Sequence, residues 1–345
     1  MKFTSYSKRA LALLAASCVL PVGVGTVSAN ITIATVPVGN PSNAADISTG
    51  FGAVGYDYNI GEYDVTSGQY AAFLNTVAGV DTFSLYNPNM AGGGSYGAYG
   101  CGITQTGAGT VINPYSYSVS ADFINRPVTW VSFWDATRFA NWLDNGQPTG
   151  PEGSGTTETG TYTLTNNSIA NNTVTRNAGA TWAVTSENEW YKAAYYNPNT
   201  RSYYLYPTSS NTQPGTNLAD PSGNDANYYN GVTFPIDGGY YTTPVGQFAN
   251  SPSPYGTYDQ GGDVWQWNES IYNGFYRGLR GGSFSYTGSY LESNADYSFV
   301  YPTNGVSYLG FRVTEIPATV PEPGALALLA VGGIGLAVRR RVRRV

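Results

Sequence analysis

The sequence predicts a mixed α+β fold in which loops outweigh regular structure. Three observations carry that expectation. The chain holds 43 glycines and only 11% charged residues. Runs such as 92–109 and 148–165 have no helical period. Short β-type runs and helical segments follow one another without the repeating spacing of βαβ units, which argues against a doubly wound sheet.

Three segments read as helices. Residues 66–77 offer Thr66 or Ser67 as N-cap and place Tyr70, Phe73 and Leu74 on one face. Residues 132–143 start at Ser132, with Asp135 three positions on and an apolar stripe of Phe133, Ala136, Phe139, Ala140 and Leu143. Residues 186–195 put Ser186 and Glu189 at capping-box spacing, with Trp190, Ala193 and Ala194 facing inward. Strand-like runs are expected at 53–58, 127–131, 181–184 and 310–313.

The two ends read as targeting segments. Lys2, Lys8 and Arg9 precede an apolar run that closes on Val27, Ser28 and Ala29, the pattern of a signal peptide over residues 1–29. Cys18 leaves a lipoprotein-type cleavage open as a minor alternative. At the other end, Val320-Pro321-Glu322-Pro323 leads into an apolar stretch at 324–338 and then Arg339, Arg340, Arg341, Arg343 and Arg344. The stretch is marginal as a membrane span, and the arginines would hold its end on the cytoplasmic face. The residues between, 30–316, are expected to form one domain, with 317–345 as the sorting tail.

Removing both ends changes the charge. Of 16 basic residues, Lys2, Lys8, Arg9 and the five terminal arginines are lost, whereas only Glu322 is lost from 22 acids. The body therefore carries 8 basic against 21 acidic residues, a net charge of −13. Nucleic acid and anionic membranes are poor partners for such a surface; cations are better ones. The chain has no histidine, and after signal removal Cys101 is the sole cysteine, so a disulfide within the body, dithiol redox chemistry and His-based triads or metal sites all lack their residues. Cys101 sits in a glycine-rich loop with no nearby cation to lower its pKa, which favours a buried thiol over a reactive one.

Six segments in order carry a resemblance: Gly61-Glu62-Tyr63-Asp64-Val65-Thr66, Arg126-Pro127-Val128-Thr129-Trp130-Val131-Ser132, Trp182-Ala183-Val184-Thr185-Ser186-Glu187-Asn188-Glu189-Trp190, Gly262-Asp263-Val264-Trp265-Gln266-Trp267, Arg280-Gly281-Gly282-Ser283-Phe284 and Leu309-Gly310-Phe311-Arg312. Together they resemble the formylglycine-generating (sulfatase-modifying) enzyme family. The tail resembles a PEP-CTERM sorting signal, which implies a membrane-embedded protease cutting near Pro321; a plain single-span anchor is the alternative. The family resemblance implies an α+β fold related to the C-type-lectin-like architecture, with Trp265, Trp267, Phe284 and Phe311 in its core.

Catalytic relatives activate copper with two cysteines placed shortly after the Gly-Gly-Ser segment; those places are Tyr286 and Leu291 here, and neither supplies a thiolate. Another branch uses histidine-ligated iron. Copper and iron are therefore not expected. The resemblance does imply structural calcium. One site would use Asp259, Gly262, Val264 and Gln266, with Gln266 where the family usually has glutamate and Asp259 where it usually has asparagine. A second would use Asn227, Tyr228, Asp237 and Gly239. Oxygen ligands on turning backbone suit that ion.

The expected function is a non-catalytic binding or matrix protein outside the cell, served by export machinery and a sorting protease, with extracellular polysaccharide or surface proteins as ligands. Tyrosine pairs at 195–196, 203–204, 228–229 and 240–241 would present stacking faces. An oxidase using another site, or a purely structural surface component, are the alternatives.

Overall fold

The computed structural model describes residues 30–92, 99–232, 236–237, 239–295 and 300–317. The expected signal peptide at 1–29 and membrane segment at 324–338 lie outside them. Among the described residues no helix is long and apolar enough to cross a membrane.

All three expected helices form, and each opens on a reciprocal cap. In α1 (Ser67–Val77) the Thr66 hydroxyl accepts from Gln69 N–H while the Gln69 side chain accepts from Thr66 N–H. Ser132 and Asp135 do the same for α2 (Phe133–Asp144), and Ser186 and Glu189 for α4 (Glu187–Tyr195). Each such cap contributes about 1 kcal/mol by satisfying donors the helix cannot. A further short helix, α3 (Asn166–Ala170), is capped by Thr165 and was not expected. Faces of α1 and α2 interlock: Phe73 meets Phe139 at 5.3 Å and Trp142 at 5.2 Å, and Phe139 meets Phe311 edge-on at 5.3 Å.

Two sheets flank this core. One has the order β1 (Thr35–Val38), β2 (Tyr58–Gly61), β11 (Val313–Glu315), β5 (Trp182–Val184), with antiparallel neighbours throughout. The other joins β10 (Leu309–Phe311) in parallel to β8 (Trp265–Tyr272), which pairs antiparallel with β9 (Tyr276–Arg280). Two small hairpins complete the described strands: β3 (Ile103–Thr106) with β4 (Ser116–Val119), and β6 (Tyr196–Asn197) with β7 (Ser202–Tyr203). Trp265, Trp267, Phe311 and Phe284 are buried, as expected. The mixed α+β class and its scarcity of helix hold.

Three strand expectations need correction. The run at 53–58 becomes strand only from Tyr58, because Val54 is tied to a preceding loop through Ser42 N–H and the Asn43 side chain. The run at 127–131 makes a single bridge, Thr66 with Pro127, and ends at Trp130, whose φ of 63° takes it out of extended geometry. The run at 310–313 splits at Arg312 between β10 and β11, which belong to different sheets. The Arg312 guanidinium turns inward to the carbonyls of Gly61 and Tyr258, at 2.6 Å each.

Buried charges brace the start of α4. Glu187 accepts from Arg280 Nε at 2.5 Å and Asn268 Nδ2 at 2.6 Å. Glu189 is clasped by both terminal nitrogens of Arg176 (2.9 and 3.0 Å), by Tyr56 Oη–H (2.6 Å) and by Ser186 N–H (2.7 Å). Arg176 also binds Glu269 at 2.8 Å, and Tyr162 Oη–H donates to Glu269 at 2.6 Å. Burial pushes the Glu189 pKa up, but Arg176 and the hydrogen bonds more than offset it, so this carboxyl sits below its ordinary value.

Candidate functional site

The first expected metal set lies in a tight turn that feeds β8. Asp259, Gly262 and Asp263 all have positive φ (59°, 84° and 55°). Gly262 is required: a Cβ there would sit 2.2 Å from Asn227 O. The turn is pinned by Gly262 N–H to Gly281 O and Asp263 N–H to Asn227 O, both 2.8 Å, which ties it to the Gly-Gly-Ser segment and to residue 227.

Around this turn the structure gathers more carboxylate than cation. Asp259 accepts from Gly246 N–H at 2.6 Å. Asp263, fully buried, accepts from Thr243 N–H (2.8 Å), Thr243 Oγ1–H (2.7 Å) and Asn227 Nδ2–H (2.5 Å). Asp64 is buried with both oxygens lacking a hydrogen-bond partner, and its nearest cation is Arg312 Nη2 at 3.6 Å. Two buried acids, Asp64 and Asp263, and the half-buried Asp259 thus lie near a single guanidinium, that of Arg312, among the described residues. Burial pushes Asp259 up to about 6; burial and then Asp259 push Asp263 up to about 7; burial raises Asp64 despite Arg312.

Gln266 is brought against Asp259, its Nε2–H donating to Asp259 O at 2.9 Å. Its Oε1 is already engaged, accepting from Trp190 Nε1–H at 2.6 Å and Arg312 Nε–H at 3.1 Å. A divalent cation here would be held by the Asp259 carboxylate and main-chain carbonyls of Gly262 and Val264 rather than by Gln266. The uncompensated buried charge fits such an ion, which accepts carbonyl oxygens and irregular geometry. Among the described residues, no three acidic or cysteine side chains converge as a metal cage.

The second expected set is engaged elsewhere. Asp237 pairs with Arg126 Nη2 at 2.6 Å, so a guanidinium already answers its charge. Asn227 turns its amide nitrogen to two acceptors, Tyr241 O (2.8 Å) and Asp263 Oδ1. Tyr228 is buried and its hydroxyl donates to Pro214 O, while Gly239 lies exposed at φ 105°.

At the places of the family's thiols, Leu291 is wholly buried and packs with Tyr206, Ala226 and Tyr228. Tyr286 meets Trp265 (5.4 Å), Tyr290 (5.1 Å) and Tyr308 (5.5 Å). Beside them opens a cleft of about 480 Å³ lined by Tyr99, Tyr229, Phe284, Ser285, Ser307 and Tyr308. Tyr99 stacks on Tyr241 at 4.3 Å, and Tyr241 lies 5.4 Å from Phe284. Sequence reading missed this cleft because its walls come from positions up to 209 residues apart, 99 to 308. Cys101 is buried, its Sγ 3.7 Å from Thr129 O, and burial raises its pKa.

The tyrosine pairs need correction. Tyr195, Tyr196 and Tyr228 are core residues, and the hydroxyls of Tyr195 and Tyr228 donate to the carbonyls of Leu291 and Pro214. Buried phenols retain a partner in this way, so adjacency in sequence does not mean display at the surface.

Residues 41–316 match the model of the sulfatase-modifying factor enzyme 1-like domain, so the chain belongs to that family. Residues 319–341 match the PEP-CTERM protein-sorting motif, which marks the protein as exported and handled by a sorting system at the cell envelope. No curated protein matches the chain. Among solved structures it is similar to CarF, at 19% identity over 82% of this chain and 98% of that one, with a TM-score of 0.49. It is similar to Treponema denticola variable protein 1 at 18% identity over 82% and 95%, TM-score 0.49. The third is PvdO from Pseudomonas aeruginosa, at 16% over 82% and 91%, TM-score 0.43.

Proposed function

We propose that this exported protein is a non-catalytic member of its family, a binding module of the cell surface or extracellular matrix, stabilised by calcium at the Asp259 turn. The observation that carries the reading is the exchange at the reactive centre. A soft metal needs thiolate or imidazole, and the two family positions hold a buried Leu291 and a Tyr286 packed among aromatic rings. Cys101 does not supply a substitute, since a buried thiol with a raised pKa carries little thiolate. The binding part of the reading is supported by the cleft of Tyr99, Tyr229, Phe284 and Tyr308, whose rings and hydroxyls suit extracellular polysaccharide or the surface of another protein. The sorting machinery acts on the tail, separately from this cleft.

The test is metal content and turnover of the purified full chain. We expect no stoichiometric copper or iron and no oxygen-dependent oxidation of a cysteine-containing peptide. Either activity or bound redox metal would establish the oxidase reading instead.

A further inference from the structure

We infer that the Tyr99 cleft continues past Trp130 into a second depression, and that the two together hold a linear, uncharged oligosaccharide. This rests on the binding-module reading and narrows it to one ligand class. The second depression, of about 370 Å³, is lined among others by Phe83, Asn87, Trp130, Ser132, Thr303 and Gly305.

The two depressions are neighbours along one loop. Thr303 and Gly305 border one, Ser307 and Tyr308 the other. Two residues of chain span at most about 7 Å, so the gap at this wall is short. Trp130 forms the partition. Its indole N–H donates to Tyr99 O at 2.9 Å, and its carbonyl lies 2.7 Å from where a Cβ on Gly305 would sit. A bulky residue at φ 63° is a backbone outlier that persists only where its surroundings over-determine it, and such residues cluster at binding sites.

The lining chooses the ligand. Among the described residues, the lining of the first cleft carries no charge. In the second, Asp135 is committed to the Ser132 cap, and Arg138 is committed to Glu158 at 2.6 and 3.0 Å and lies over Phe83 at 4.5 Å. Among the described lining residues no other ionic group is left to pair with a charged ligand, and the acidic body repels polyanions. Rings that accept a sugar's C–H face, beside hydroxyls that both donate and accept, match a neutral pyranose. A peptide would be expected to add along an open strand edge, but no lining residue of either depression lies in a strand. Two adjoining subsites separated by a partition call for a chain of rings rather than a single sugar.

Titration calorimetry of the full chain with linear glucan, mannan and galactan oligomers of two to six units tests this. In at least one series, affinity should rise about tenfold or more between the shortest and longest members, as a second linked contact predicts. Thr303→Trp, which fills the second depression from an exposed position, should abolish that rise while leaving the shortest member's affinity unchanged. Tyr229→Ala should weaken every length by about tenfold, the worth of one stacking face. Circular dichroism identifies variants that fail to fold. Equal affinity at all lengths, a rise that survives Thr303→Trp, or no binding in any series overturns the inference. None of these outcomes touches the non-catalytic reading, which stands or falls on redox metal and turnover.

Discussion

The bracing around α4 and the Tyr99 cleft lie in the same molecule but obey opposite rules. Around α4 the chain buries Glu187, Glu189 and Arg280, half-buries Arg176 and Glu269, and gives each several partners. The described lining of the Tyr99 cleft holds no charge, only rings and hydroxyls. Charge in this protein holds long loops together at a distance, with Arg176 spanning 93 residues to reach Glu269. The recognition proposed for the cleft would fall to groups that need no counter-ion. Stability and binding are therefore separable, which a catalytic centre built on buried ligands would not allow.

The sharpest way to break that comparison is Glu187→Ala. It removes the carboxylate that pairs with the buried Arg280, which keeps only weaker, uncharged acceptors such as the Ser293 carbonyl, so urea unfolding should show a loss of about 3 kcal/mol. Tyr229→Ala, on the cleft, should cost less than about 1 kcal/mol. Similar losses from both would dissolve the distinction.

Next in size is calcium. An ion held only by the native turn, as proposed for calcium, stabilises it by mass action, so chelation should lower the melting temperature by several degrees in scanning calorimetry. Asp259→Ala should remove that response, because it takes away the side-chain oxygen that would hold the ion at this turn. An unchanged wild-type melting curve would remove the ion from the proposal.

The smallest effect concerns Glu152, which sits beside the second depression and accepts from Thr82 and Phe83 N–H. Burial first, then Asp81, pushes its carboxyl up to about 7 from an unfolded value of 4.5. A raised carboxylate contributes stability that is fully present below pH 4.5 and lost as pH rises through 7. Glu152→Gln should therefore flatten the part of the melting-temperature profile that falls between pH 5 and 7.5. A profile identical to wild type would show that this residue does not titrate in that window.

What the sequence made legible was local. Capping boxes at Thr66, Ser132 and Ser186 lie within four residues and marked three helices to within a residue or so. What it hid was long-range. Arg312 ends a strand because it must reach Gly61, 251 positions earlier. Asp237 is paired with Arg126, 111 positions earlier. Trp130 breaks an otherwise good strand pattern through a backbone angle that no periodicity reveals. The missing thiols were plain from the sequence, whereas the Tyr99 cleft had to be assembled in three dimensions.

The position of β11 has a mechanical consequence. This strand is interior to its sheet, bonded to β2 on one side and β5 on the other. Only Ile316, Pro317 and Ala318 separate it from the sorting motif that begins at residue 319. A tug on the tail along the strand axis would load both ladders in shear, all hydrogen bonds resisting at once, instead of peeling them one after another. Any tether formed at that motif would grip the domain by a strand clamped on both flanks, a fastening suited to flow and drag outside a cell.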